Sequence, residues 1–175
     1  FTVTLVVSGP SGSATRTARD AIAVVDPDGL VPMGCGINPP GSFRVLSGAP
    51  RLGTTMVIGI DNPLGTQAPG AIPYVYSSFT ADAHFPCGTL RPGLGMAGGG
   101  ASGELLLDPR VPLARVSSGA PWTGAGVPAT VAVRLPASSS LIGVALYLQG
   151  RLIDNSPQAP LKVGLTDGVR LRLGP

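Results

Sequence analysis

The sequence FTVTLVVSGPSGSATRTARDAIAVVDP, residues 1–27, decides the fold class. Residues 1–7 alternate threonine with valine and leucine, which is the period of two expected of a half-buried β-strand. The run Gly9-Pro10-Ser11-Gly12 predicts a turn, because proline fixes φ and glycine permits positive φ. A second strand is predicted over residues 15–25, and it ends before Pro27 because proline donates no hydrogen bond to a sheet. These residues therefore predict a β-hairpin.

The edges of this hairpin predict an assembly surface. A lone hairpin is marginally stable in water, and unpaired strand edges template pairing with another chain unless charge, proline or a covering element blunts them. Only Arg16, Arg19 and Asp20 blunt these edges, all on the second strand. We therefore predict that the hairpin joins copies of the chain by strand complementation. The residues predicted to form the joint are Thr2, Val3, Thr4, Leu5, Val6, Val7, Ile22 and Val24.

The same residues resemble the last two strands of a PKD domain, an immunoglobulin-like sandwich found in bacterial surface and secreted proteins. The resemblance is carried by the motifs Phe1-Thr2-Val3-Thr4-Leu5, the Gly-Pro-Ser-Gly turn, Thr15-Arg16-Thr17 and Ile22-Ala23-Val24. It implies that residues 1–27 are an incomplete domain and that residue 1 is not the start of the translated protein, and the absence of an initiating methionine agrees. An alternative stays open, in which the remaining strands lie upstream in the same polypeptide.

The composition favours many short strands. Twenty-six glycines and 19 prolines in 175 residues interrupt nearly every run of helical length, while a hydrophobic fraction of 43% argues against disorder. We predict an all-β sandwich of roughly 8–10 strands, immunoglobulin-like or jelly-roll-like, with the hairpin as an N-terminal extension. The strands predicted after the hairpin cover residues 42–46, 54–60, 72–79, 104–107, 129–135 and 141–153.

Three segments follow from this interpretation: a PKD-like hairpin at residues 1–27, a linker at 28–33 and a sandwich domain at 34–175. The last segment resembles the C-terminal β-rich domain of large secreted proteins from planctomycete-type bacteria. The motifs that carry this second resemblance are Gly34-Cys35-Gly36, Gly48-Ala49-Pro50-Arg51-Leu52-Gly53, Phe85-Pro86-Cys87, Pro128 to Pro136, Leu146-Tyr147-Leu148-Gln149-Gly150 and Thr166-Asp167-Gly168-Val169-Arg170-Leu171. The resemblance implies a location and an architecture rather than an activity.

The end of the chain predicts a closing hairpin. Residues 162–165 and 169–173 flank Thr166-Asp167-Gly168, and Asp-Gly between two such runs is a strong hairpin signal. In the last strand three apolar residues alternate with two arginines, so one face is expected to lie in a core and the other in solvent. The apolar set is Val169, Leu171 and Leu173, and the arginines are Arg170 and Arg172.

Cys35 and Cys87 are the only cysteines. An even count in a glycine- and proline-rich chain of extracellular character predicts a disulfide between them. The alternative is a zinc site, in which Asp82 and His84 would join the two thiolates. Structural zinc sites draw on closely spaced Cys and His pairs, and only one loose pair occurs here, so the disulfide is favoured.

Other candidate sites are weak, and we predict no cofactor. Asp20, Asp26 and Asp28 offer hard oxygen ligands for Ca²⁺, although a solvated turn is the commoner meaning of such a run. The glycine-rich residues 93–103 contain GxGxxG spacing without a following helix, so a loop is expected rather than a phosphate site. With a single histidine, His84, and no nucleophile elbow, the sequence supports no catalytic residue and no enzyme.

Three aromatic residues suggest glycan contact. Trp122 lies in a loop rich in glycine and proline, where an indole can stack on a sugar or cover a core. Tyr74 and Tyr76 alternate with Val75 and so share one strand face. With the Arg170 and Arg172 stripe, these residues motivate a carbohydrate-binding or adhesion function.

Charge and hydropathy exclude two classes of partner. Charged residues make up 12% of the chain and the net charge of +3 is diffuse, unlike a nucleic-acid footprint. No apolar run reaches the roughly 20 residues that span a membrane. We therefore predict a secreted or cell-surface structural protein that forms a filament or surface layer with other copies of itself. Neighbouring domains of a larger precursor and polysaccharide are further candidate partners. The alternative functions are the adhesion module and a C-terminal secretion-sorting or surface-anchoring domain.

Overall fold

The computed structural model describes residues 3–10, 12–18, 29–159 and 161–175. Within these residues the chain forms twelve β-strands and one 3₁₀ turn, Ser139–Leu141, and every pairing between strands is antiparallel. The all-β prediction is confirmed. The strands are β1 (Val3–Gly9), β2 (Gly12–Ala18), β3 (Leu30–Met33), β4 (Phe43–Ser47), β5 (Thr55–Ile60), β6 (Ile72–Ser78), β7 (Thr89–Arg91), β8 (Gly103–Leu105), β9 (Arg115–Ser118), β10 (Ala129–Arg134), β11 (Ala145–Ile153) and β12 (Val163–Arg172).

Two sheets pack face to face to form the sandwich. One has the strand order β10-β5-β4 and the other the order β3-β12-β11-β6-β9. Strand β10 shows why they pack, since its residues alternate buried and exposed along its whole length. The shared core draws large side chains from both sheets, among them Met56, Ile58, Val131, Leu148 and Leu171.

A third, smaller layer covers the other face of the five-stranded sheet. The hairpin β7–β8 lies there, and the Leu106 amide that follows it donates to the side-chain oxygen of Gln149 at 2.9 Å. Leu106 and Met33 both approach Gly168 of β12, where an added Cβ atom would lie 3.0 Å from each of them. Strand β12 is therefore buried on both faces over this part of its length.

The predicted closing hairpin is wrong. Residues 166–168 lie inside β12, and Gly168 pairs with Gln149 of β11 on one side and with Met33 of β3 on the other. Strand β12 has one extra residue here, which is accommodated by a register shift between Gln149 and Arg151 of β11. The Thr166 hydroxyl stabilises this bulge, because it accepts from the Gly150 amide at 2.9 Å and donates to the Asp167 carbonyl at 2.6 Å.

The predicted linker is also wrong over most of its length. Residues 30–33 form β3, which pairs with β12 as the first strand of the five-stranded sheet. Pro32 lies opposite Val169 in this pair, and a proline is tolerated there because β3 is an edge strand whose missing amide faces away from β12. Strands β7 and β9, of three and four residues, were not expected from the sequence either.

The N-terminal hairpin is confirmed. Strands β1 and β2 pair from Gly9 opposite Gly12 to Val3 opposite Ala18, and within the described residues they form a two-stranded sheet of their own. The predicted continuation of the second strand to residue 25 lies outside the described residues, as do Thr2, Ile22 and Val24 of the predicted joint.

We expect Leu171→Ala to lower the free energy of unfolding by about 3 kcal/mol, because Leu171 is fully buried in the sandwich core. Arg172 is exposed, and its Nε donates to the Gly143 carbonyl at 3.1 Å, so Arg172→Ala should change stability by about half a kcal/mol or less. Urea unfolding of both variants checks the assignment. Equal losses would contradict the placement of the two faces of β12.

No helix among the described residues is long and apolar enough to cross a bilayer.

Candidate functional site

A disulfide between Cys35 and Cys87 joins two loops, with Cα atoms 5.1 Å apart, so the predicted bond is confirmed. The buried Glu104 carboxylate holds both loops from below, since it accepts from the amide of Cys35 and from the amide of Gly88, each at 2.9 Å. The zinc alternative fails at these cysteines, because each sulfur atom is bonded to the other and neither is a thiolate ligand.

Asp82 and His84, the other residues of the zinc alternative, shape the turn that leads to Cys87. Asp82 accepts from the His84 amide at 3.0 Å, its Oδ1 lies 2.8 Å from His84 Nδ1, and its Oδ2 accepts from the Thr89 hydroxyl at 2.9 Å. Burial acts to raise the pKa of Asp82, but the hydrogen bonds from His84 and Thr89 outweigh it and leave the pKa below its ordinary value. These contacts give both side chains a structural role.

A buried polar network fixes the loop that follows Cys35. The Asn38 amide group donates to the carbonyls of Glu104 and Thr166 at 2.9 and 2.7 Å, and its oxygen accepts from the Glu104 amide at 2.9 Å. The Gln149 side chain donates to the same two carbonyls at 2.7 and 3.0 Å. Buried polar groups that are fully paired in this way specify one arrangement of the backbone. These hydrogen bonds thus fix the loop that follows Cys35, which borders a groove.

That groove lies between the edge strands of the two sheets, and we call it the β3–β4 groove. It has a volume of about 530 Å³. Its apolar lining includes Leu30, Met33, Phe43, Val45 and Val169, and Asp167 is the one charged residue among the described residues that line it.

Among the described residues, no strand pairs with the β4 side of the groove. The Asp61 amide donates to the Ser42 carbonyl at 2.9 Å, so this pair is a hydrogen-bonded one in the antiparallel ladder with β5. Hydrogen-bonded and non-hydrogen-bonded pairs alternate along such a ladder. The amides and carbonyls of Phe43 and Val45 therefore point away from β5, along the open edge of the three-stranded sheet.

Asp167 is destabilised as an anion. Burial raises its pKa to about 6, and the nearby Glu104 carboxylate adds to the rise, while a hydrogen bond with the Gly41 backbone acts in the opposite direction. Its own amide donates to the Ser42 hydroxyl at 3.0 Å, which fixes the backbone at the end of the groove. A carboxyl with a perturbed pKa in a groove marks a candidate functional site. Asp167 was absent from the predicted site residues, because its Asp-Gly motif was interpreted as a hairpin turn.

We expect Asp167→Asn to stabilise the chain at neutral pH. The folded-state pKa of about 6 lies above the ordinary value of 3.8, so the contribution of this group to stability is greatest below pH 3.8 and falls as the pH rises towards 6. The rise in the pKa of Asp167 corresponds to about 3 kcal/mol in the free energy of unfolding, and solvent screening at this half-buried group reduces that effect to about 1 kcal/mol. Unfolding at pH 4 and pH 7.5 measures the effect, which should vanish at the lower pH.

Asp108 is the matched control for this measurement. Hydrogen bonds from the Arg110 side chain and amide hold the pKa of Asp108 below its ordinary value. Asp108→Asn should therefore lower stability at pH 7.5, the opposite sign. The same sign for both variants would contradict the pKa of Asp167.

The predicted glycan residues do not lie together, and Trp122 is corrected. Trp122 is 1% exposed in the sandwich core, and its Nε1 donates to Asp61 Oδ1 at 2.9 Å, so it cannot stack on a sugar. Tyr74 and Tyr76 lie on the other face of β6 from buried Val75, half-buried, with ring centroids 6.3 Å apart.

Tyr74 and Tyr76 keep a surface position. The Arg151 guanidinium lies 4.3 Å from the Tyr76 ring centroid, a cation–π contact that orders this face of the sheet. Val116 of the adjacent strand β9 lies opposite Tyr76 and is 47% exposed. The face therefore offers one aromatic pair and one cation to solvent.

The predicted Ca²⁺ ligands Asp20, Asp26 and Asp28 lie outside the described residues. The glycine-rich stretch is a loop, as predicted, and its glycines allow close backbone approach: an added Cβ atom would collide with the Ser102 carbonyl at Gly95 and with the Leu94 carbonyl at Gly103. These contacts leave the phosphate interpretation without support.

Fold and site together define the class of this protein: a disulfide-bonded all-β sandwich with a separate N-terminal hairpin and an apolar groove between sheet edges. Comparisons with protein-family models, with curated proteins and with solved structures found no match to the chain. The resemblances to a PKD domain and to the planctomycete-type C-terminal domain stay predictions.

Proposed function

We propose that this chain is a non-enzymatic extracellular structural protein that joins copies of itself into a filament or surface layer by β-strand complementation through the hairpin β1–β2. The observation that carries the proposal is the sheet order, in which β1 and β2 pair with each other and with no further strand among the described residues. Each strand of the hairpin thus keeps one edge that another strand can extend.

The hairpin has few of the features that protect an edge. Strand β1, Val3–Gly9, contains no charged residue and no proline, and Val6 in its middle is 58% exposed. Natural edge strands avoid pairing through charge, proline or a covering element. A contact in which the hairpin of one copy binds a different surface of the next copy is head-to-tail, and it propagates as a filament unless it closes into a ring.

The disulfide supports an extracellular location. Bonds of this kind persist in oxidising compartments and are rare where thiols are kept reduced. Cys35–Cys87 also lies in loops held by Glu104 and Asn38, and Gln149 donates to the Glu104 carbonyl, so the covalent link reinforces a network that already orders the domain.

We expect the full chain to form large species in sedimentation experiments, and Val6→Pro to leave it monomeric. Gly9 and Gly12 flank the two-residue connection and form a hydrogen-bonded pair. Hydrogen-bonded pairs alternate along the hairpin with pairs whose amides point outward, so the amides of Val6 and Thr15 lie on opposite outer edges. Proline at either position removes a donor from one outer edge and spares the bonds between β1 and β2. Thr15→Pro is the matched control, because it blunts the edge of β2 alone.

The pair of variants also identifies the joining edge. Loss of assembly in Val6→Pro with assembly kept in Thr15→Pro assigns the joint to β1. Assemblies of native size from a chain in which both residues are proline, or from a chain that starts at Gly29, would refute the hairpin as the connector. A wild-type chain that is monomeric at every concentration would refute assembly itself.

A second candidate function is adhesion to polysaccharide through the Tyr74 and Tyr76 face. The observation that favours it is the half-exposed aromatic pair with Arg151 stacked against Tyr76. Aromatic platforms of this kind bind sugar rings by stacking. Glycan-array binding that is lost in Tyr74→Ala and kept in Trp122→Phe would support it, whereas equal binding by Tyr74→Ala and the wild type would exclude this face.

A further inference from the structure

The edge of β4 that no described strand occupies is suited to receive another strand. The amides and carbonyls of Phe43 and Val45 point outward along it, which offers two donors and two acceptors at alternate positions. The facing edge, that of β3, is less suited because Pro32 removes one donor from it. An incoming strand therefore adds to the three-stranded sheet at β4.

A strand added at β4 would place alternate side chains in the β3–β4 groove. The groove is apolar, with Leu30, Met33 and Val169 across from β4. The occupant must then present apolar residues with a period of two. The register of the hairpin supplies such a row, because Val3, Leu5 and Val7 occupy alternate positions of β1, with Ala18, Arg16 and Ala14 directly opposite on β2.

Opposite charges would make the contact between the hairpin and the β3–β4 groove specific. Arg16 is the one charged residue in residues 3–18, and the register pairs it with Leu5 across the hairpin. Asp167 is the one charged residue in the described lining of the groove. Adjacent strands are about 4.8 Å apart, so with β1 joined to β4 the strand β2 lies two such spacings from β4, and pairing between Arg16 and Asp167 is an expectation for the docked hairpin.

We infer that the β3–β4 groove is the acceptor for the hairpin of a second copy of this chain, with β1 pairing to the edge of β4 and Arg16 of one copy bonding Asp167 of the next. The inference rests on the proposed function, in which the hairpin is the connector, and it names the surface to which the hairpin connects. Because hairpin and groove are different surfaces of one chain, each copy both gives and receives a strand.

The groups around Asp167 make this contact sensitive to pH. Glu104 faces it from β8 and acts against ionisation, and Arg44 on β4 donates its Nε to the Gly41 carbonyl at 3.2 Å, beside the same loop. An arriving arginine favours the ionised form of Asp167. Assembly therefore tightens as the pH rises through 6, the pKa region of this carboxyl.

A charge exchange between two full-length variants tests the inference. The first variant is Arg16→Glu, with an altered donor and a native groove, and the second is Asp167→Lys, with a native donor and an altered groove. Each alone should need at least about tenfold more protein for half-assembly, since every joint in it sets like charges together. An equal mixture should assemble near the wild-type concentration, because each hairpin then finds an opposite charge in the groove of the other variant.

The neutral variants Arg16→Gln and Asp167→Asn are controls for misfolding of the charged variants. Both should weaken assembly, and both should remove its dependence on pH between 5 and 7 while the thermal transition stays cooperative. Assembly at wild-type concentrations by Asp167→Lys alone, or no recovery in the mixture of the charged variants, overturns the groove as acceptor.

These outcomes are distinct from a failure of the proposed function. If Val6→Pro abolishes assembly while the Asp167 variants keep it unchanged, the hairpin remains the connector and the groove is not its partner. If the chain is monomeric and Arg16→Glu lowers its melting temperature equally at all concentrations, the hairpin occupies the groove of its own chain, which also overturns the inference.

Discussion

Trp122→Ala is expected to lower the free energy of unfolding by about 4–5 kcal/mol, the largest effect of any single substitution considered for this chain. The indole is 1% exposed and belongs to the core shared by the two sheets, so its removal leaves a cavity that the rigid strands around it cannot close. Removal of the indole also leaves one carboxylate oxygen of Asp61 without its hydrogen-bond donor. Asp61 is buried, and its Oδ1 loses the bond from Trp122 Nε1, at 2.9 Å, while its Oδ2 keeps the bond from the Gly126 amide at 3.0 Å.

Trp122→Phe separates the two causes. Phenylalanine retains most of the apolar volume and lacks the N–H donor, so about 2 kcal/mol is expected for the unpaired Asp61 oxygen and the smaller ring. Asp61→Asn in the same series keeps an acceptor for the indole and should cost less than Trp122→Ala. Urea unfolding measures all three. A change below about 1 kcal/mol in Trp122→Ala would show that the indole is exposed and would restore it as a candidate for sugar stacking.

Loss of the disulfide is expected to cost about 4 kcal/mol. Cys35 and Cys87 close a loop with a sequence separation of 52, and the chain-entropy model assigns about 4 kcal/mol to a loop of that length. The native bond also holds the amides of Cys35 and Gly88 over Glu104, so its loss loosens the partners of a buried carboxylate. The effect is measured by comparing the double variant Cys35→Ala and Cys87→Ala with the oxidised chain.

A matched variant distinguishes the covalent bond from its surroundings. Glu104→Gln keeps the shape of the side chain and an acceptor for one amide, with the disulfide intact. It should cost less than the double cysteine variant, and its loss should persist under reducing conditions. If reductant leaves the unfolding curve of the wild-type chain unchanged, the bond contributes nothing to the stability of the folded chain.

Periodicity made the fold class predictable. Strand β10 alternates buried and exposed residues along its whole length and β6 alternates over most of its length, and the sequence offers no competing helical pattern, so an all-β sandwich follows from local chemistry. The disulfide was equally accessible, because two cysteines in a chain of this composition leave one pairing. The core face of β12 followed from the alternation of leucine and arginine.

What the sequence could not supply was set by contacts between distant residues. Thr166-Asp167-Gly168 has the chemistry of a turn, yet the neighbours β3 and β11 hold it inside a strand, and the Thr166 hydroxyl caps a bulge instead. Asp167 became a site only because β8 brings Glu104 near it and because β3 and β4 leave a groove beside it. Trp122 shows the same limit, since a loop tryptophan and a core tryptophan share one local sequence.

The position of β12 has a consequence for how the domain reaches its folded state. Strand β3, the first of the sandwich, has β12 as its sheet partner, and β12 is the last strand along the chain. Contacts so far apart in sequence form slowly, because the entropy of closing the loop is lost before the contact contributes. The five-stranded sheet is therefore complete only after β12 has been synthesised. Until then β3 lacks its partner in the sheet.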